Sequence, residues 1–264
     1  MAIQKGAIQY TGSFKSIRNY RVRHDKRIIA GEKGGANGDL IKNNPAFVNT
    51  RLSENEFGGC ARAVKGIRKG FVKLLPEMVD AMFTSRLMQM TRKISVLEKE
   101  GNIGKRPILF SKSRNFIRAI QFNKEVRTIE TCTRFLRVSH SDSRAEASLK
   151  VENLTLQGAK FSRAAERYRL ISHLSIVSDY FYSEETRQYE PTNQLDNQCA
   201  YAYSDYMDPY TELNTEIKVS FPEGTVIGDD CSVIHCVGIE FYVWNGSSGY
   251  QPTIGQSLQM MNVY

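Results

Sequence analysis

A chain of 264 residues with 41% hydrophobic and 24% charged side chains is an ordinary globular mixture, long enough for two modest domains and excluding global disorder. Its net charge of +8 hides an asymmetry: residues 1–150 carry 30 Lys and Arg against 13 Asp and Glu, a balance of +17, while residues 151–264 carry 6 against 15, a balance of −9. Such a split points to a polyanion gripped by the basic half, or to a second copy whose acidic half meets it, a head-to-tail contact that builds rings or filaments.

Met1–Tyr10 has no apolar core of a secretory signal, so synthesis in a cytoplasm is expected, with release as part of a particle or extracellular assembly left open. No apolar run reaches the length that spans a bilayer. Cys60, Cys132, Cys199, Cys231 and Cys236 are odd in number and scattered, which points to reduced thiols.

Residues 1–42 read as an extended basic hairpin arm. Ala7–Tyr10 and Ile17–Arg23 alternate apolar and polar residues, the period of a half-buried strand, and His24-Asp25 reads as a turn into Arg27–Ala30. Gly31–Gly38 then breaks regular structure. A hairpin of this size does not stabilise itself in water and needs a surface to lie on.

Residues 43–121 read as helical. Asn44 suits an N-cap and Pro45 the first helical position. Phe57, Cys60, Ala61, Val64, Ile67, Phe71 and Leu75 recur at helical spacing, with Arg62, Lys65, Arg68, Lys69 and Lys73 around them. Gly58-Gly59 weakens this helix or lets another backbone approach. Pro76 starts a second helix with the stripe Val79, Met82, Phe83, Leu87, Met90, Ile94 and Leu97, ending near Gly101. The two stripes predict an antiparallel pair, with a shorter helix over Ser113–Ile120.

Residues 122–264 change period. Thr128–Val138, Ala145–Val151, Tyr168–Tyr182, Thr215–Phe221, Val233–Trp244 and Ser257–Val263 read as strands, separated by turns at Ser141-Asp142-Ser143, Gly228-Asp229-Asp230 and Asn245–Gly249. The fold expected is α+β: the arm and helical pair followed by an antiparallel β-sandwich, immunoglobulin-like or jelly-roll-like, with a Tyr-rich insertion at 180–210.

Motifs for chemistry are weak. Gly31–Gly38 lacks the Gly-Lys-Ser/Thr ending of a phosphate loop. Cys231, His235 and Cys236 lie on a strand, where adjacent side chains diverge, and no second pair completes a tetrahedral metal set. Ser139-His140-Ser141-Asp142 is a polar turn, since triad members seldom neighbour one another in sequence. Asp229-Asp230 reads as a solvated turn. The four histidines leave few candidates for general acid–base work. A non-catalytic protein is expected, without cofactor, metal or small-molecule substrate.

Two residue sets stand out as interface candidates. The basic arm offers Tyr10, Arg18, Tyr20, Arg21, Arg23, Lys26 and Arg27. The acidic half offers Tyr180, Tyr182, Tyr189, Tyr201, Tyr203, Tyr206 and Tyr210, and tyrosine gives large contact area at low entropic cost. Clustered cations with an aromatic between them also suit nucleic acid, although no recognised nucleic-acid motif accompanies them.

Several segments resemble an uncharacterised family of Bacteroidota proteins. They are Gly6-Ala7-Ile8, Gly31-Glu32-Lys33-Gly34-Gly35, Asn44-Pro45-Ala46-Phe47 with Arg51, Asn55-Glu56-Phe57-Gly58-Gly59-Cys60-Ala61, Ile120-Gln121-Phe122-Asn123 and Gly238-Ile239-Glu240-Phe241. The chain departs from that pattern at Gly59, where arginine is usual, and in the Tyr-rich stretch. The resemblance implies the order hairpin arm, helical pair, β-sandwich, and carries no activity. The expected function is a self-associating structural subunit of a filament, a shell or a phage or phage-like particle. The alternatives are a nucleic-acid-binding protein using the basic half, and a glycan-binding sandwich.

Overall fold

The structure, a computed structural model, describes every residue except positions 1, 4, 6–8, 22–26, 33, 100 and 157–158. Met1–Arg51 form one unit and Leu52–Tyr264 a second.

The first unit contains β1 (Ala2–Ile3), β2 (Gly12–Phe14), β3 (Ile17–Arg21) and β4 (Ile28–Glu32), an antiparallel sheet in the order β1-β4-β3-β2. The expected hairpin is therefore a four-stranded sheet. Gln9 and Tyr10 are not in a strand; positions 7 and 8, the turn at 24–25 and Lys33 lie outside the described residues. A two-residue turn, Lys15-Ser16, joins β2 to β3 and closes the pair Phe14 and Ile17. Lys15 has φ 51°, a left-handed conformation usually given to Gly or Asn, so no Asn-Gly signal marks the turn. Among the described residues of this unit only Asn19 and Ile28 are buried. α1 (Gly38–Asn43) starts under the Asn37 side chain, which accepts from Leu40 N at 2.7 Å. Asn44 caps a 3-10 turn at Pro45–Phe47, as its sequence context predicts.

α2 (Val48–Gly70) leads into the second unit, followed by α3 (Leu75–Met78), α4 (Phe83–Leu97), α5 (Arg114–Arg118), α6 (Thr128–Cys132), β5 (Leu136–His140), β6 (Glu146–Leu154), β7 (Arg167–Ser178), β8 (Tyr180–Ser183), β9 (Gln188–Pro191), β10 (Cys199–Tyr203), β11 (Leu213–Ser220), β12 (Cys231–Trp244) and β13 (Tyr250–Val263). Three layers result. The middle is the antiparallel sheet β10-β7-β12-β13. One face carries Ile171, Val177, Ile234, Cys236, Leu258 and Met260 into a core shared with α2, α3, α4 and α5. The other meets the sheet β11-β6-β5 through Leu170, Leu174, Ile176, Val233, Val237 and Ile239. β7 and β12 are thus buried on both faces; β12 reads as a largely apolar run, whereas β7 also buries Ser172, His173, Ser175 and Ser178. The fold is α+β with sandwich-like sheets.

α2 and α4 run antiparallel. Arg92 of α4 lies 3.7 Å from Glu56 near the start of α2, while Phe71 beyond its end meets Phe122 edge-on and Phe83 at the start of α4 stacks on it. Of the predicted stripe, Cys60, Val64, Ile67, Phe71 and Leu75 are buried, but the inward face differs from it at two positions. Phe57 and Ala61 are exposed, and Gly59, Gly66 and Gly70 lie inward with Cys60, Val64 and Ile67. A Cβ on Gly59 would meet the Tyr189 ring at 2.5 Å, and one on Gly66 would run into the Tyr180 hydroxyl. The second predicted helix breaks in two at Asp80, whose carboxylate accepts from Met82 N and Lys124 N and pairs with Arg86 at 3.0 Å. The loop before α5 is clamped on α2: Glu56 receives two bonds of 2.7 Å from Arg106 and one of 2.9 Å from Gly104 N, and Asn55 donates to Gly104 O.

Two further expectations are corrected. Thr128–Val138 is α6 and a 3-10 turn before β5, because Thr131 and Thr133 hydroxyls bond back to carbonyls three residues earlier and Ser257 Oγ accepts from Ile129 N. The Tyr-rich stretch is not an insertion: β8 and β9 form a hairpin, and β10 is an edge strand of the middle sheet.

Candidate functional site

Odd-numbered positions of β7 face the helices. Gly70 lies on Ser175 and Phe71 stacks on His173 at 4.7 Å. Farther along, the same face carries Arg169, registered opposite Glu240 of β12. Arg169 Nη2 lies 3.2 Å from Glu240 Oε2 and donates to the Tyr242 hydroxyl at 2.5 Å, and that hydroxyl bonds Glu240 in turn. The guanidinium is walled by three rings, with centroids 4.1 Å away for Tyr203, 4.8 Å for Tyr206 and 5.0 Å for Tyr242. Burial opposes the charge on Arg169, and the bonds to Tyr242 and Glu240 overcome it, so its pKa lies above the usual arginine value. Burial, then the neighbouring carboxylate, likewise holds the Tyr242 and Tyr203 phenols above their ordinary values.

The rings continue outward. Tyr206 stacks on Tyr250 at 5.1 Å, and Trp244 meets Tyr250 edge-on at 5.2 Å. Tyr201 sits edge-on to Tyr203, beneath Lys73 at 4.6 Å. Tyr201, Tyr203, Tyr206 and Trp244 are all exposed, Trp244 at 53%. Strand register fixes the inner rings and mutual stacking holds the outer ones. This gives a preorganised aromatic face with an ion pair at its centre, offering flat apolar area, ring faces for cations and outward hydroxyls.

Of the predicted tyrosines, Tyr201, Tyr203 and Tyr206 converge here, and Tyr210 stands in the following loop, 78% exposed. Tyr180 and Tyr189 do not belong to any surface. Both are buried, with Tyr180 bonded to Asp196 at 2.5 Å and Tyr189 to Arg106 O at 3.0 Å. Tyr182 is half-buried, edge-on to Tyr189, with Lys105 over it. In the arm, Tyr10, Arg18, Arg21 and Arg27 are exposed and Arg18 lies over the half-buried Tyr20; Arg23 and Lys26 lie outside the described residues. Sequence reasoning missed Arg169, Glu240, Tyr242, Trp244 and Tyr250. The available signal was Glu240, the one carboxylate in the largely apolar β12, and the pair Arg167 and Arg169 at the start of β7.

The other candidates have structural partners. His235 faces the sandwich, between Ser172 Oγ at 2.9 Å and the Tyr264 hydroxyl at 2.7 Å, whereas Cys236 faces the helices. Among the described residues no cluster of His, Cys, Asp or Glu could hold a metal ion. Ser139 pairs with Ser148, and the His140 ring contacts Tyr264 at 3.8 Å. Asp230 is not a freely solvated turn residue: it accepts from Thr192 and Asn193, which hold its carboxyl below the usual range against the larger, opposing pull of burial. All five cysteines are free, four of them buried. No helix among the described residues is long and apolar enough to cross a membrane. No known family, curated protein or solved structure matches the chain.

Proposed function

We propose that this chain is a non-catalytic structural subunit that associates with copies of itself, as in a filament, a shell or a phage-like particle. One observation carries the reading. The N-terminal unit holds a four-stranded sheet in which Asn19 and Ile28 are the only buried side chains among the described residues, the rest being exposed or half-buried. Ile3, Phe14 and Ile17 are among its exposed apolar residues, Phe14 at 63%. Sheets need a covered face for stability, and a second molecule is a way to supply one.

Size-exclusion chromatography with light scattering, at low and at high salt, tests the proposal. A mass above one chain that falls as salt rises is expected. A monomer at high concentration in both conditions overturns it. Removing residues 1–42 should abolish association and leave the circular-dichroism spectrum of the sheets intact.

A second reading has its own observation. Arg62, Lys65, Arg68 and Lys69 form an exposed basic stripe on α2, which suits the phosphates of a nucleic acid. A gel shift at about 50 mM salt tests it, and no retardation of single- or double-stranded DNA removes it.

A further inference from the structure

Resting on the self-association reading, we infer that the N-terminal unit of one copy docks on the aromatic face around Arg169 of the next, a head-to-tail contact between two unlike surfaces.

Charge complementarity selects this occupant. Residues 1–51 carry ten Lys and Arg against three Asp and Glu. Beyond Arg187 the chain holds one cation, Lys218, against ten carboxylates. The cations close to the face are already engaged: Arg169 with Glu240 and Tyr242, Lys73 with Tyr201, Arg167 with Asp208. Exposed Asp205, between Tyr203 and Tyr206, and exposed Glu77, close enough to Tyr203 to affect its phenol, remain to meet incoming positive charge.

The two surfaces also match in chemistry. The β2–β3 turn presents Phe14 and Ile17 side by side, both exposed, with Lys15 at the turn itself and Arg18 beside Ile17. It is a small apolar knob with one cation at its tip, Lys15 over the Phe14 ring at 5.8 Å, while Arg18 lies with Tyr20 on the other face of the strand. The face is aromatic and already ordered by its own ring contacts, so little entropy is lost when it is covered. Tyrosine and tryptophan rings receive apolar side chains and ammonium or guanidinium groups on the same surface. Because knob and face lie on different parts of the chain, the contact leaves one of each unused and propagates.

The test uses two full-length variants: a knob variant, Phe14→Asp with Ile17→Asp, and a face variant, Tyr206→Asp with Trp244→Asp. All four residues are exposed, and thermal melts check that each variant folds; Tyr206→Ala with Trp244→Ala replaces the face variant if it does not. By light scattering the wild type is oligomeric, each variant alone is monomeric, and an equimolar mixture forms a species of two chains. It stops there, because the intact knob of one variant meets the intact face of the other.

Each other result is decisive. A monomeric wild type overturns self-association itself. An oligomeric wild type with an equally oligomeric face variant overturns this docking surface and leaves self-association standing. An oligomeric knob variant removes the knob. Two monomeric variants that fail to rescue each other overturn the head-to-tail geometry. Retention of the wild type by insoluble polysaccharide, lost in a face variant that still associates, assigns the face to a glycan instead.

Discussion

Glu56 lies on the buried face of α2, and its carboxylate takes a two-pronged bond from Arg106. The Arg106 bonds hold its pKa below the ordinary carboxylate range, against the opposing effect of burial. A lowered folded-state value gives stability that is complete above the unfolded pKa, near 4.3, and is lost as pH falls through the folded one. Glu56→Gln leaves a mostly buried guanidinium without its counter-charge and should cost about 3 kcal/mol in urea titrations at pH 7. An unchanged midpoint would show that the clamp does not hold the loop. His173 and His235 act in the same direction. Burial foremost lowers both to about 4 from 6.5. Stability from their neutral forms is present above pH 6.5 and lost between there and about 4. His173 lies between Phe71 and Tyr201, with Nδ1 unpartnered. His173→Phe should therefore flatten the acid slope and change stability at pH 7 by less than about 1.5 kcal/mol. A slope equal to that of the wild type would rule out His173 as its source.

α2 shows what periodicity reveals and what it leaves out. Spacing located the helix and the inward positions Cys60, Val64 and Ile67. It misplaced the face at Phe57 and Ala61, because glycine carries no apolar weight while three glycines lie against the sheet and its hairpin. Adjacent positions separate the effects. Gly58 has nothing within 4 Å of an added Cβ, so Gly58→Ala should gain up to about 1 kcal/mol of helix propensity. Gly59→Ala drives a methyl into the Tyr189 ring and should cost about 1–3 kcal/mol. Thermal melts of the pair should move in opposite directions; equal shifts would mean that the ring yields freely. α6 was illegible for a different reason. Its threonines have strand propensity, and the bonds that override it, from Thr128 to Lys160 O and from Ile129 to Ser257, come from segments remote in sequence.

At the scale of the molecule, composition and alternation were enough to order the parts: strands, helices, then sheets. The aromatic face was only half legible, since bringing Arg169, Tyr203, Glu240 and Tyr250 together takes the register of four strands, of which only β12 and β13 are joined by a short turn. Hydrogen exchange reads the proposed contact at this scale. Amides of β2, β3 and β4, in a sheet with little burial, should exchange early in dilute protein and become protected as concentration rises. Protection independent of concentration would show that the sheet needs no second chain. The glycine face of α2 has one further consequence, for the order in which the chain is made. The helix leaves the ribosome first, whereas Ser175, Tyr180 and Tyr189, on which its glycines lie, follow about 105–130 residues later. At ordinary translation rates that is roughly 5–25 s during which the inward side of α2 has no strand to cover it. On a crowded polysome, a chaperone able to shelter a helix for that interval is expected to raise the yield of folded chain more than faster synthesis would.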